Sequence, residues 1–94
     1  KVVAIATRKA DAKPEEFAPH LDAEVGVALG MVRDETVREL YSRADGKGAV
    51  IVLECEDEAH ARKLLATLPL AKAGLLNFEI YVTKPYRGIV QHAK

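Results

Sequence analysis

The sequence predicts an α+β sandwich, in which two helices pack on one face of a four-stranded antiparallel sheet. Four short segments are rich in β-branched residues or alternate between apolar and polar residues, as strands do. Two other segments repeat apolar residues at the spacing of an amphipathic helix. The resulting order, βαββαβ, places both helices on the same side of one sheet.

The first strand and the first helix occupy the first third of the chain. Residues 2–8, VVAIATR, are apolar and β-branched, which predicts a buried strand. Pro14 stands where a first helical residue belongs, and Glu15 and Glu16 lie beside the positive end of the helix dipole. A single long helix is therefore predicted to begin at Pro14, with an apolar face formed by Phe17, Leu21, Val25, Ala28, Leu29 and Val32.

Gly26 and Gly30 interrupt this helix and are open to two interpretations. Each glycine weakens a helix by about 1 kcal/mol relative to alanine. Because the two residues lie four apart, they share one face of the helix, and another element could approach closely there. Alternatively, Gly30 begins the fraying end of the helix.

The middle of the chain predicts a β-hairpin. Residues 36–43, TVRELYSR, alternate as a strand does, and AVIVLECE, residues 49–56, is a second apolar run. The Asp45-Gly46 pair between them is a typical hairpin turn. Strands two and three are therefore expected to be neighbours.

The remaining elements are a second helix, a fourth strand and an arm. Asp57 and Glu58 open the helix, and Pro69 is expected to end it because proline disfavours a helical residue before it. Residues 77–84, NFEIYVTK, alternate cleanly and predict strand four. Pro85 then begins a C-terminal arm, residues 85–94, whose apolar residues include Tyr86, Ile89 and Val90.

This order closes as a ferredoxin-like fold with sheet order 4-1-3-2. One face of the sheet has no helix over it and is called the open face below. Strand alternation places on it Glu39, Tyr41, Arg43, Val50, Val52, Glu54, Glu79 and Tyr81. A face that mixes valines, tyrosines and carboxylates is too apolar to stay fully solvated, so a second copy of the chain is expected to cover it.

Length and charge exclude several function classes. With 94 residues, the chain forms one domain, residues 1–94. Fourteen basic residues balance fourteen acidic ones, which argues against nucleic acid and anionic membranes as partners. No apolar run is long enough to span a bilayer, and the single cysteine, Cys55, lies in an apolar segment as a buried thiol would. A cytoplasmic protein is expected.

An RNA-recognition motif has the same element order but a different surface. Its central strand follows the pattern K/R-G-F/Y-G/A-F-V-x-F/Y, whose aromatic residues stack on bases. The matching run here is KGAVIVLE, in which every aromatic position is replaced. RNA binding is therefore not expected.

Residues 36–89 resemble muconolactone isomerase and its relatives in the dimeric α+β barrel superfamily. The similarity comprises an Arg-x-Leu-aromatic strand, an acidic residue near the end of the next strand, a Leu-Pro-Leu helix end, a glutamate-centred strand and a basic arm containing proline. The matching residues are Arg38, Leu40, Tyr41, Glu54, Leu68, Pro69, Leu70, Glu79 and Arg87. The resemblance implies a dimeric α+β barrel and a cofactor-independent isomerase that acts on a small anionic lactone or related oxygenated ring. It also implies that the C-terminal arm lies across a neighbouring subunit, with Tyr86, Ile89 and Val90 as the expected anchors.

The resemblance also implies roles for particular residues. Moving a double bond within a lactone requires a group that removes and returns a proton, which a carboxylate such as Glu54 or Glu79 can do. Tyr41 would assist by donating a hydrogen bond to the enolate oxygen. The expected pocket lies between the open face and the first helix, and further substrate contacts are expected from Tyr81, Glu39, His20 and Arg87.

Plainer interpretations of these residues remain open. Both glutamates could pair with Arg38, Arg43 or Lys84, and both tyrosines could fill a dimer interface. Neither His20 nor His60 has a second histidine or cysteine at ligand spacing, so no metal site and no cofactor are predicted. A non-catalytic binding or assembly module and a cofactor-free monooxygenase are the alternative functions.

Overall fold

A computed structural model describes residues 1–92 of the chain. It contains four strands and five α-helices, with a 3-10 turn at Ala18–His20 between the first two helices. In chain order they are β1 (Val2–Arg8), α1 (Pro14–Phe17), α2 (Leu21–Arg33), β2 (Val37–Ser42), β3 (Gly48–Leu53), α3 (Glu58–Leu65), α4 (Pro69–Lys72), β4 (Leu76–Val82) and α5 (Arg87–His92).

The four strands form one antiparallel sheet in the order β2-β3-β1-β4, which confirms the predicted topology. The predicted hairpin joins β2 to β3, and Gly46 takes a φ of 73° in its turn. One β-bulge interrupts the pairing of β2 with β3 between Val37 and Glu39. The ferredoxin-like α+β fold is therefore the fold of this chain.

The core lies between the sheet and the helices. Val2, Ala4 and Ala6 of β1 are almost completely buried, as are Ile51 and Leu53 of β3. They point to the same side of the sheet because alternate residues of a strand share a face. Side chains from both long helices, α2 and α3, pack against this group, among them Ala28, Met31, Leu64 and Leu65. Both long helices therefore cover one face and leave the open face free.

The prediction of one continuous first helix is wrong. The helical segment is broken into α1, the 3-10 turn and α2. Pro19 lies within the turn. Proline has no N–H to donate and restricts the residue before it, which explains why a regular α-helix does not continue through this point.

Pro69 begins a helix and does not end one, contrary to the prediction. Helix α3 already ends at Leu65, and Pro69 is the first residue of the one-turn helix α4. Leu68 before it is extended, with a ψ of 132°, as expected for a residue preceding proline. The Leu-Pro-Leu corner thus starts a new helical turn, and both of its leucines are buried.

No element of the described chain packs closely on Gly26 or Gly30. Apart from the neighbouring backbone of α2 itself, no atom lies within 4 Å of a Cβ atom built on either glycine. The close approach that the sequence left open is therefore not made within one chain.

The C-terminal arm includes a short helix, α5, that the sequence did not predict. Tyr86 and Ile89, two of the expected anchors, are 73% and 62% exposed. Residues 93–94 and the side chain of Val90, the third expected anchor, lie outside the described part of the chain. The molecule measures 54 × 26 × 23 Å along its principal axes and is therefore elongated.

Candidate functional site

The open face has an aliphatic centre with a tyrosine and a glutamate at each edge. Val3 and Ile5 of β1 lie beside Val52 and Val50 of β3, and all four are half-buried. Strand pairing arranges the residues of the open face in two rows, each of which runs from one edge of the sheet to the other. One row contains Tyr41, Val50, Ile5 and Glu79, and the other contains Glu39, Val52, Val3 and Tyr81.

Each edge tyrosine donates a hydrogen bond to the glutamate two residues before it. Tyr41 Oη donates to Glu39 Oε1 at 2.6 Å, and Tyr81 Oη donates to Glu79 Oε2 at 2.9 Å. The hydrogen bond and the negative charge of the carboxylate raise the pKa of each tyrosine. A tyrosine hydroxyl has only one proton to donate. It must therefore leave its glutamate before it can stabilise an enolate oxygen.

The ion pairs that Glu54 and Glu79 could form with Arg38, Arg43 or Lys84 are not found among the side chains of residues 1–89. Arg38 forms an ion pair with Glu35, with 3.5 Å between Arg38 Nη1 and Glu35 Oε2. Arg43 instead contacts Asp45 at 2.6 Å and also donates a hydrogen bond to Thr7 Oγ1 at 2.8 Å. These two arginines are thus engaged elsewhere, and both candidate bases are exposed.

One cavity lies between α2 and the helix-covered face of the sheet. It has a volume of about 540 Å³ and a mainly apolar lining. Helix α2 contributes Leu21, Val25 and Leu29, each at least 40% exposed because it borders this opening. The sheet contributes Leu40 and Ile51. Called the apolar cavity below, it is large enough for a compact ring compound.

Glu24 is the acidic residue that lines the apolar cavity. Its Oε1 accepts a hydrogen bond of 2.9 Å from the backbone N–H of Leu70 in α4. This contact ties α2 to the Leu-Pro-Leu corner and fixes the direction of the carboxylate. A carboxylate that is held at one oxygen keeps its other oxygen free to accept a proton.

The second cavity, called the basic cavity below, has a volume of about 560 Å³ and adjoins the first. Arg8 and Leu21 line both. Its lining contains three basic side chains, Arg8, Lys9 and Lys47, and no acidic one. The two cavities together thus form a surface that is apolar at one end and positively charged at the other.

The structure places most of the predicted site residues outside both cavities. Tyr41 borders the apolar cavity from edge strand β2, although its hydroxyl is bonded to Glu39 on the open face. Neither cavity lining includes Glu54, which follows β3, or Glu39, Glu79 and Tyr81 on the open face. His20, at the start of α2, and Arg87, at the start of α5, also lie outside both.

The sequence did place the open-face residues correctly relative to one another. It predicted a pocket between the open face and the first helix, whereas the apolar cavity lies between α2 and the helix-covered face. Arg8, Glu24 and Ser42 line these cavities and were not predicted as site residues. The sequence did contain a signal for Arg8. By strand alternation it follows Val2, Ala4 and Ala6 on the helix-covered face of β1, where an apolar residue is expected in place of a charged one.

The described residues show neither a metal-binding cluster nor a membrane-spanning helix. Among the side chains of residues 1–89, no three of histidine, cysteine, aspartate or glutamate are grouped so that they could hold a metal ion. The helices of this part of the chain are also too short or too polar to cross a membrane.

Comparison with known proteins gives a structural likeness and no sequence relative. No protein-family model and no curated protein sequence matches the chain. The structure is similar to 5-chloro-2-hydroxyhydroquinone dehydrochlorinase (TftG) from Burkholderia phenoliruptrix AC1100, solved in complex with 2,5-dihydroxybenzoquinone, with a TM-score of 0.71. The match covers 94% of this chain and 98% of that chain at 12% sequence identity. At this identity the likeness concerns the fold, and the chain shares the fold of the dehydrochlorinase over almost its whole length.

Proposed function

We propose that this chain is a cofactor-independent enzyme that moves a proton within a small oxygenated ring compound, as muconolactone isomerase does. The observation that carries the proposal is the apolar cavity, which combines the volume of a compact ring with one oriented carboxylate, Glu24. The similarly folded dehydrochlorinase was solved with a small quinone, which is a ligand of this size class.

Glu24 is the carboxylate best placed to transfer the proton. It would remove a proton from the carbon beside the substrate carbonyl, leaving an enolate, and return the same proton to a second carbon. The double bond moves and no atom is gained or lost. The N–H of Leu70 holds one carboxylate oxygen, so the other can face the substrate with little reorganisation.

Glu54 and Glu79 are retained as alternative bases, with Tyr41 as the assisting hydroxyl. Both glutamates are exposed in the single chain, so these roles require a second copy that encloses the open face. We propose a homodimer for this reason. The half-buried centre formed by Val3, Ile5, Val50 and Val52 is the surface that the second copy would cover.

The position of the arm also favours assembly. Thr83 is hydrogen-bonded to Lys1, so the chain leaves the sheet at the end where β1 begins. The apolar cavity lies towards the other end, where Arg8 pairs with Leu76. The arm therefore begins at the end of the sheet opposite its own cavity, and its exposed Tyr86 is available for a neighbouring subunit.

Turnover assays with three matched variants test this assignment. The protein would be incubated with muconolactone-type lactones while absorbance and oxygen uptake are recorded. Glu24→Gln, Glu54→Gln and Glu79→Gln each remove one candidate base, and Glu15→Gln, an exposed residue that lines neither cavity, is the control. We expect oxygen-independent turnover that falls by roughly 100-fold or more in Glu24→Gln alone.

Other outcomes would select the alternatives. Loss of turnover in Glu54→Gln or Glu79→Gln, with Glu24→Gln unaffected, would identify the substituted glutamate as the base. Oxygen consumption during turnover would indicate a cofactor-free monooxygenase. Thermal stabilisation by a lactone without turnover would indicate a binding module and would contradict the enzymatic proposal.

A further inference from the structure

Arg8 places a charge at the end of an otherwise apolar series in β1. Val2, Ala4 and Ala6 are at most 1% exposed on the helix-covered side of the sheet, and strand alternation puts Arg8 on the same side. Its guanidinium carbon lies 5.0 Å from the centre of the Phe17 ring. A cation at this distance is attracted to the ring, which favours one orientation of the guanidinium.

This guanidinium has no acidic partner within the described chain. The four ion pairs found among the described side chains, those of residues 1–89, use Lys9, Arg38, Arg43 and Arg62 as their cations. No carboxylate oxygen of this part of the chain lies within 4.0 Å of Arg8, although Glu24 lines the same apolar cavity. The donors of Arg8 are therefore free for an external anion.

Arg8 also lies at the boundary between the two cavities. It lines the apolar cavity together with side chains of α2, and it lines the basic cavity together with Lys9 and Lys47. A ligand that fills the first cavity would thus have one end next to a guanidinium. Lys9 is 3.9 Å from Asp11, so its charge is partly compensated. Lys47 lines only the basic cavity, so Arg8 is the one of these three cations that also borders the apolar cavity.

We propose that the site binds ring compounds that carry a carboxylate, with the ring in the apolar cavity and the carboxylate on Arg8. The proposal depends on the proposed function only in taking the apolar cavity as the ligand site. Arginine suits this role because its planar guanidinium can donate two parallel hydrogen bonds to one carboxylate. Glu24 disfavours an anion at its own position in the cavity, so the two charges together define the direction of the ligand.

The test uses two ligands of the same shape that differ in charge. Salicylate and its uncharged amide, salicylamide, would be titrated into the ¹⁵N-labelled protein, with shifts of the Ala6 and Gly48 amides reporting on the cavity. We expect salicylate to bind more tightly than salicylamide. Replacing the guanidinium in Arg8→Gln should weaken salicylate binding about tenfold or more and leave salicylamide unchanged.

Two further variants control for charge and for folding. Arg33→Gln removes the same charge from the exposed end of α2, away from both cavities, and should leave the affinity for salicylate unchanged. Arg8→Lys keeps the charge but loses the planar pair of donors, so an intermediate affinity is expected. Unperturbed amide spectra would show that each variant is folded.

Several results would overturn the proposal. These are equal affinity for both ligands, an equal loss in Arg8→Gln and Arg33→Gln, or no binding of salicylate at about 10 mM. The result is separable from the proposed enzymatic function because salicylate binding is measured without turnover. Selective salicylate binding in a protein that turns over no lactone would support the site and contradict the enzyme. Lactone turnover that is unaffected by Arg8→Gln would support the enzyme and contradict the carboxylate site at Arg8.

Discussion

Tyr41 and Glu39 are joined along edge strand β2 by a hydrogen bond of 2.6 Å from the phenol to the carboxylate. Tyr81 and Glu79 form the same contact on the opposite edge strand, β4. Strand pairing puts Tyr41 in the row of Glu79, and Glu39 in the row of Tyr81. The two pairs are therefore related by an approximate two-fold axis through the aliphatic centre of the open face.

These contacts predict a delayed ionisation of Tyr41. The hydrogen bond to Glu39 raises the pKa of Tyr41, so the Glu39→Gln variant should lower the alkaline midpoint of tyrosinate absorbance. A raised folded-state pKa contributes stability that is complete below the ordinary value of about 10 and is lost as the pH rises through the folded value. The variant should therefore lose this contribution at neutral pH. Glu56→Gln, at an exposed position after β3, is the control, and equal midpoints in the two variants would contradict the prediction.

Gly48 is predicted to be intolerant of any side chain. It has a φ of 155°, and a Cβ atom built there would lie within 1.9 Å of the backbone oxygen of Ala6. Backbone atoms of the central strand cannot move without disturbing the sheet. We expect Gly48→Ala to lower the free energy of unfolding by about 1–3 kcal/mol, measured by urea denaturation.

Gly26→Ala is the matched control for this substitution. It adds the same methyl group within α2, where nothing lies within 4 Å. Because alanine favours a helix, this variant should be more stable than the parent by about 1 kcal/mol. A loss of stability in Gly26→Ala would instead reveal a close neighbour from another subunit.

The sequence was sufficient for the topology because local signals and pairing rules agreed there. The Asp45-Gly46 turn fixed one hairpin, and alternation in β4 fixed which of its residues face the helices. The boundaries near Pro19 and Pro69 were less predictable, since proline can interrupt, end or begin a helix depending on the packing around it. Sequence order alone does not distinguish these cases.

The candidate site was harder to predict because cavities depend on the shape left between packed elements. The open-face glutamates were conspicuous in sequence, as polar residues within strands. Glu24 is one of several charged residues along a helix, and only the packing of α4 against α2 gives it a partner in Leu70. Its position beside a cavity follows from tertiary structure and has no local signature.

Cys55 is predicted to react slowly with alkylating reagents. Partial burial raises the pKa of its thiol, and the nearby carboxylates of Asp57 and Glu54 act in the same direction. The reactive species is the thiolate. Iodoacetamide labelling at pH 8, followed by mass spectrometry, should therefore be slower in the native protein than in urea. Equal rates in both conditions would show that the thiol is not shielded by burial and that its pKa is not raised.

Asp45 is predicted to stabilise the hairpin at neutral pH and not in acid. A hydrogen bond from the N–H of Lys47, followed by contacts from Arg43, lowers the pKa of Asp45. A lowered folded-state pKa contributes stability above the ordinary value, and this is lost as the pH falls through the folded value. Asp45→Asn should therefore lower the thermal midpoint at pH 7, with the difference shrinking below about pH 4. A difference that is constant with pH would assign the effect to geometry and not to charge.

The open face predicts that the chain assembles as a homodimer and that a single charge at its centre prevents this. Val50 is half-buried beside Ile5 in the middle of the face. Placing a lysine there in Val50→Lys would put two like charges close together, without partners, in a face-to-face dimer. Sedimentation velocity at micromolar concentration should show a dimer for the parent chain and a folded monomer for this variant.

Two further variants separate the open face from the rest of the surface. Ala59→Lys adds the same charge on an exposed position of α3 and should leave the dimer intact. Deleting residues 86–94 removes Tyr86 and Ile89, so the dimer should dissociate at a higher protein concentration than the full chain does. A parent chain that stays monomeric at all accessible concentrations would contradict the assembly. The roles of Glu54 and Glu79 would then be lost as well, because these residues need a second copy to shield them from water.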